Sequence, residues 1–241
     1  MAGPQAETAP QSFLGPTIRR SLRSGRMILA VGTGWTVILG VAIGLGSGSA
    51  FVSSFPLVLP IFGSMAAIGS LTVFTSDRTK GVLEYLMAYG VTPRRLFTNF
   101  LVASLVSISI VLVIAIGAGV GAYLAAGNPP SVALVVLLGG YALPMSYVSG
   151  AFSTTVGMYW SALSSPREGM NSPVGVAPFL GILPPVATLA LIGVFGATVG
   201  ITLEGFVLVT GTALGVVSVV VLFLLADIAH LLRRERLLSS A

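Results

Sequence analysis

The sequence predicts an all-α integral membrane protein with six transmembrane helices, on three observations. Composition is the first: 55% of the 241 residues are hydrophobic, 8% are charged, and the mean hydropathy is +1.00, a balance that excludes a soluble globular domain. The second is the length of the apolar runs. About 20 apolar residues cross the hydrocarbon core, and such runs occupy roughly 27–47, 55–75, 98–125, 132–163, 174–197 and 204–228. Charge asymmetry is the third. All twelve Lys and Arg residues lie before the first run, in the second and fourth connectors, or after the sixth run, and none lies near 48–54, 126–131 or 198–203. By the positive-inside rule both termini are cytoplasmic, and an even number of spans requires the same.

Taken in order, residues 1–11 (MAGPQAETAPQ) are small, polar and proline-bearing and are expected to be disordered. Over 12–26, Phe13, Leu14, Ile18 and Leu22 recur at near-helical spacing against Arg19, Arg20, Arg23 and Arg26. That pattern suits an amphipathic helix lying among lipid headgroups; the alternative is a basic flank that only sets topology. The first apolar run is too long, and its polar lead too extended, for a cleaved signal, so it is expected to stay as the first span. The third and fourth runs exceed the bilayer and must tilt, protrude or kink at Pro144.

Small residues crowd the runs: Gly40, Gly44, Gly46 and Gly48, the Gly117-x-x-x-Gly121 pair, and Gly139 with Gly140. Such faces let helices approach closely, within one subunit or between two. Pro56 and Pro60 in the second span and Pro178, Pro184 and Pro185 in the fifth fall in the middle helices of two oppositely oriented three-span halves, as in a broken-helix inverted repeat. Residues 229–241 form a basic cytoplasmic tail.

One long internal segment is not apolar, FTSDRTKGVLEYLMAYGVTPRRLFTNF from Phe74 to Phe100. Ser76 or Asp77 can cap a helix start, Gly90 can end that helix in the left-handed region, and Thr92-Pro93 can cap and open the next. The spacing predicts a short helix over 77–89. Val82, Leu83, Leu86 and Tyr89 lie close to one face, with Lys80 and Glu84 four apart on another. This helix either rests against a membrane surface or protein groove, or is a solvated connector.

Several chemistries are excluded or disfavoured. The net charge of +5 sits beside apolar runs, where it meets anionic headgroups and not nucleic acid. With no cysteine there are no disulfides, thiolate metal sites or cysteine nucleophiles. No ionisable residue lies near the middle of a run, which argues against a proton- or sodium-coupled carrier. Ser149 and His230 are the residue types of a serine hydrolase, but helical rise separates them by about 14 Å in depth, far beyond proton-transfer reach. Asp227 and His230, three apart, either share a cation or snorkel at the interface. Lys80 is the only lysine and no G-x-x-x-x-G-K-[ST] occurs, so the chain is not expected to be an enzyme, and any ATP hydrolysis by that motif belongs to another subunit.

Six spans with both ends inside, an N-terminal amphipathic helix, and the run Ser76-Asp77-Arg78-Thr79-Lys80-Gly81-Val82-Leu83-Glu84-Tyr85-Leu86 followed by Thr92-Pro93-Arg94-Arg95-Leu96 resemble the membrane (permease) subunit of an ABC-2 type transporter. That family's loop is similar: a charged run, then Gly, a small or β-branched residue, Leu-Glu-x-Leu, a gap, and basic residues before the third span. The resemblance covers most of the chain by topology and about 25 residues by motif.

The resemblance implies that 12–26 is an elbow helix and that 77–89 is a coupling helix docking in a separate ATP-binding subunit. Lys80, Gly81, Val82, Leu83, Glu84, Tyr85 and Leu86 would make that contact. Pro166, Arg167 and Glu168 would make a second, smaller cytoplasmic one. It further implies no catalytic residue, metal or cofactor in this chain, ATP and Mg in the partner, a second copy or homologous permease beside it, and a place in the plasma membrane. Only about a dozen residues, Gly193 to Glu204, are available for the re-entrant hairpin many relatives carry between the fifth and sixth spans. The expected function is ATP-driven export of a hydrophobic or amphipathic substrate; the alternatives are a non-transporting scaffold or anchoring subunit, and a stand-alone carrier.

Overall fold

The computed structural model describes residues 13–163, 173–198 and 203–239, and among these no strand occurs. Residues 1–11 and Pro166, Arg167 and Glu168 lie outside the described residues. Five stretches are helical, long and apolar enough to cross a membrane: Arg26–Gly46, Gly48–Thr79, Pro93–Ala125, Val132–Ser161 and Glu204–Ile228. The chain is thus a multi-pass membrane protein. One further helix, α9 (Pro173–Thr198), is apolar over Leu180–Val194 among its described side chains. We call the end carrying Arg19 to Arg26 and Arg78 to Arg95 the basic end.

The amphipathic segment forms α1 (Leu14–Ser24), separated by Gly25 alone from α2 (Arg26–Gly46). Its buried face is not its most apolar one. Thr17 and Ser21 face inward, and a Cβ on Gly25 would come within 2.8 Å of Gly69 Cα. This small face lets α1 lie backbone to backbone against the second stretch, while Leu14, Ile18 and Leu22 are half-buried beside it.

The second stretch is broken, though not at its prolines. Pro56 and Pro60 sit inside α3 (Gly48–Met65), and the break falls at Ala66 and Ala67 before α4 (Ile68–Thr79). There the N–H groups of Ala66 and Ala67 bond three residues back, to Gly63 and Ser64, a tightened turn that re-aims the chain. Pro184 and Pro185 likewise lie within an unbroken helix, α9.

After α5 (Val82–Ala88) comes α6 (Pro93–Ala125), a single helix of 33 residues, about 50 Å long at 1.5 Å per residue. It carries the expected excess length as one unbroken helix. The fourth stretch carries it differently. Between α7 (Val132–Leu137) and α8 (Leu143–Leu163), residues Leu138–Ala142 form a π-helical turn, in which Leu143 N–H reaches back five residues to Leu138. Pro144 has no N–H to offer the Gly140 carbonyl and its ring crowds that carbonyl, so the helix widens by one residue just ahead of it. The last helix, α10 (Leu203–Ser239), runs through its apolar stretch and on toward the C-terminus.

Within the chain the close glycine contact falls between the paired positions. Gly117 and Gly121 have open space around them, whereas Gly119 faces α2: a Cβ on Gly40 would meet Gly119 Cα at 3.2 Å, and one on Gly44 would meet Gly119 O at 3.1 Å. Two residues along a helix is about 200° of rotation, so the residue between the paired glycines makes the contact. Phe51, Phe55 and Tyr123 stack beside it with ring centroids 4.7 and 5.0 Å apart. They open a core shared by α3, α6 and α8 that includes Leu59, Ile108, Leu112, Tyr141 and Met145. Interhelical hydroxyl pairs add to it, Ser104 with Thr154 at 2.7 Å and Ser109 with Tyr147 at 2.9 Å, as polar groups in hydrocarbon require. Outward, Trp35, Ile38, Val113, Val219 and Phe223 are exposed, as lipid-facing side chains are.

Candidate functional site

The segment between the second and third stretches folds as helix, turn, helix, with its turns where the local residues dictate. Gly81 takes φ 70° and Gly90 φ 87°, backbone conformations that L side chains disfavour. At the end of α5, Val91 N–H bonds Leu86 O and Gly90 N–H bonds Met87 O, the paired arrangement that satisfies the last carbonyls of a helix. Thr92 then caps α6, its hydroxyl accepting from Arg95 N–H at 3.4 Å, with Pro93 at the first helical position.

The start of this segment differs from the sequence expectation. Neither Ser76 nor Asp77 caps the short helix, because α4 runs through both to Thr79, and α5 begins only after the Gly81 turn. The reason is tertiary. Asp77 is drawn inward, 4% exposed, and accepts two bonds from Arg20 of α1, at 3.0 and 2.5 Å. A bidentate guanidinium–carboxylate pair fixes both distance and plane, so α1 is clamped to α4 one turn before α5. Lys80 and Glu84 consequently lie on opposite sides of the Gly81 break, and the ion pair expected of one continuous helix does not form.

The same geometry sets which face of α5 is buried. Leu83, 2% exposed, and Met87 point into a core of Leu71, Phe74, Leu96, Phe97, Phe100, Met158 and Ile228, with Leu86 and Val91 packed against it. Phe74 anchors that core, its ring 5.6 Å from Phe97 and 5.3 Å, edge-on, from Phe100. Val82 is half-buried. The surface of α5 is made instead by Lys80, Gly81, Glu84, Ala88 and two tyrosines. Tyr85 and Tyr89 are 60% and 67% exposed, their rings 4.5 Å apart. The hydrogen bond with Tyr89 holds the Tyr85 phenol above its ordinary value. Arg94 and Arg95 stand exposed just beyond.

Two large aromatic side chains held side by side in water on a short helix form a surface suited to a partner's groove, since Tyr loses little rotamer freedom on binding. Sequence pattern missed Tyr85 as part of a pair. The signal was its spacing of four from Tyr89, opposite the Leu83 and Met87 spacing of four. No family model, curated protein or solved structure matches the chain.

The remaining candidates separate. Ser149 is fully buried and its hydroxyl has no partner, while His230 is exposed on α10. Asp227 does not reach toward His230; it accepts a hydrogen bond from Tyr159 at 3.0 Å. Among the described residues no three His, Asp or Glu side chains gather as metal ligands. Between α9 and α10 an uncharged groove of about 440 Å³ is lined by Pro184, Leu191, Leu208 and Val216, among others.

Proposed function

We propose that the chain is the membrane subunit of an ATP-driven ABC transporter, with α9 as the fifth of six spans, the basic end and both termini in the cytoplasm, and α5 as the helix that docks in a separate ATP-binding subunit. The exposed Tyr85–Tyr89 pair carries this reading. It sits on a helix tied by turns to two transmembrane stretches, the first of which ends in α4, itself clamped to α1 through Arg20–Asp77. Closure of the ATPases would press on α5, and α4 and α6 would carry the displacement into the bilayer. The permease works beside a second copy or a homologous permease, in the plasma membrane. The uncharged groove and apolar faces favour a hydrophobic or amphipathic substrate, exported, over a small ion.

The test is co-purification. From native membranes, the wild-type chain is expected to bring down an ATP-binding protein, and Tyr85→Ala/Tyr89→Ala to weaken that association by roughly a thousandfold, since two aromatic anchors of an interface at about 2 kcal/mol each contribute about 4 kcal/mol. Equal recovery with the double variant contradicts docking through these rings.

A further inference from the structure

We propose that α1 carries a binding site for the phosphate of an acidic membrane phospholipid, built by Arg19 and Arg23. The site stands whether or not the chain works with an ATPase. It rests on a cleft of about 620 Å³ on the outer face of α1, lined among the described residues by Gly15, Pro16, Arg19, Arg20 and Arg23. Gly15, Arg19 and Arg23 follow one another at intervals of four, one ridge of a helix. Gly15 leaves the end of that ridge empty: a Cβ built there meets nothing within 4 Å.

The charge around the cleft is unbalanced. α1 carries three arginines and no acid, and Arg26 follows at once. Of the helices packed against α1, α2 contributes only Arg26, α4 contributes Asp77 and Arg78, and α6 contributes Arg94 and Arg95. The single carboxylate among them, Asp77, is occupied by both terminal nitrogens of Arg20. Arg20 is thereby held as a fixed wall, and Arg19 and Arg23 face the cleft with no carboxylate partner among the described residues. No side chain caps the first turn of α1, so the positive end of the helix dipole adds to the same field. A group with two or three anionic oxygens answers this arrangement, because guanidinium forks bind phosphate in pairs of bonds.

Position selects a lipid as the source of that phosphate. Arg23 lies three residues before Arg26, where the first membrane-crossing stretch begins, and Gly25 alone joins the two helices. The cleft is therefore pinned at headgroup level. On the helix, Ile18 and Leu22 flank Arg19 on the side away from Arg20 and are half-buried, offering apolar surface where an acyl chain leaves its headgroup.

The experiment reconstitutes the full-length chain in vesicles of phosphatidylcholine with or without phosphatidylglycerol, extracts it gently, and counts retained lipid by native mass spectrometry. The wild type is expected to retain phosphatidylglycerol over phosphatidylcholine, and Arg19→Gln/Arg23→Gln to lower that retention about tenfold or more. Arg19→Lys/Arg23→Lys, which keeps both charges without the guanidinium forks, restores it only in part, and Arg94→Gln, off the cleft, leaves it unchanged. Retention undiminished in the Gln pair, or displacement of the lipid by inorganic phosphate at matched concentration, would each overturn the proposal.

Discussion

Replacing Arg20 with alanine is expected to lower stability by about 3–5 kcal/mol, the cost of leaving a buried charge without its partner. The effect is asymmetric because the two partners are buried unequally: the Arg20 side chain is 50% exposed and that of Asp77 only 4%. Without Arg20, the Asp77 carboxylate stays buried without its bidentate partner. Without the carboxylate, Arg20 turns to solvent, so Asp77→Asn should cost less, about 1.5–3 kcal/mol for a hydrogen bond to a charged group. Thermal unfolding in detergent micelles checks both. A larger loss for Asp77→Asn than for Arg20→Ala would reverse the burial argument.

The second large effect separates the buried from the exposed face of one short helix. Leu83→Ala should destabilise by about 2–5 kcal/mol, the range for emptying a leucine site in a packed core, because Leu83 sits against Phe74, Phe97 and Phe100. Its neighbour two positions on, Tyr85, is exposed, and Tyr85→Ala should change stability by no more than about 0.5 kcal/mol. The same thermal measurement reads both variants. If Tyr85→Ala unfolds the protein as readily as Leu83→Ala, the two faces of α5 have been misassigned.

Which features the sequence disclosed follows from how local their causes are. The left-handed turn at Gly90 and the cap and proline at Thr92 and Pro93 were legible because three or four adjacent residues settle each. Apolar run length likewise foretold the membrane-crossing stretches at Arg26–Gly46, Pro93–Ala125 and Glu204–Ile228. The start of α5 was not legible. Asp77 is a sound helix cap by local rules, and only its partner 57 residues earlier, Arg20, draws it inward and moves the start to the Gly81 turn. The same holds for the buried face of α5. Leu83 and Leu86 stand among polar residues, and only the aromatic core assembled from α4 and α6 claims them. Gly119 was overlooked for Gly117 and Gly121 because a spacing of four is visible in one chain, whereas the facing helix is not. The π-helical turn at Leu138–Ala142 lay between: Pro144 announced a disturbance, but not that it would widen the helix by one residue ahead of the proline.

Because the chain contains no cysteine, Tyr85→Cys places a unique thiol at the centre of the proposed docking surface, and Ala126→Cys, exposed at the end opposite the basic one, supplies its counterpart. Thiol-directed crosslinking in native membranes tests the central claim most directly. Docking through α5 predicts that position 85 captures an ATP-binding protein and position 126 does not. Capture of an ATPase at neither position, with both variants intact and abundant in the membrane, would contradict it.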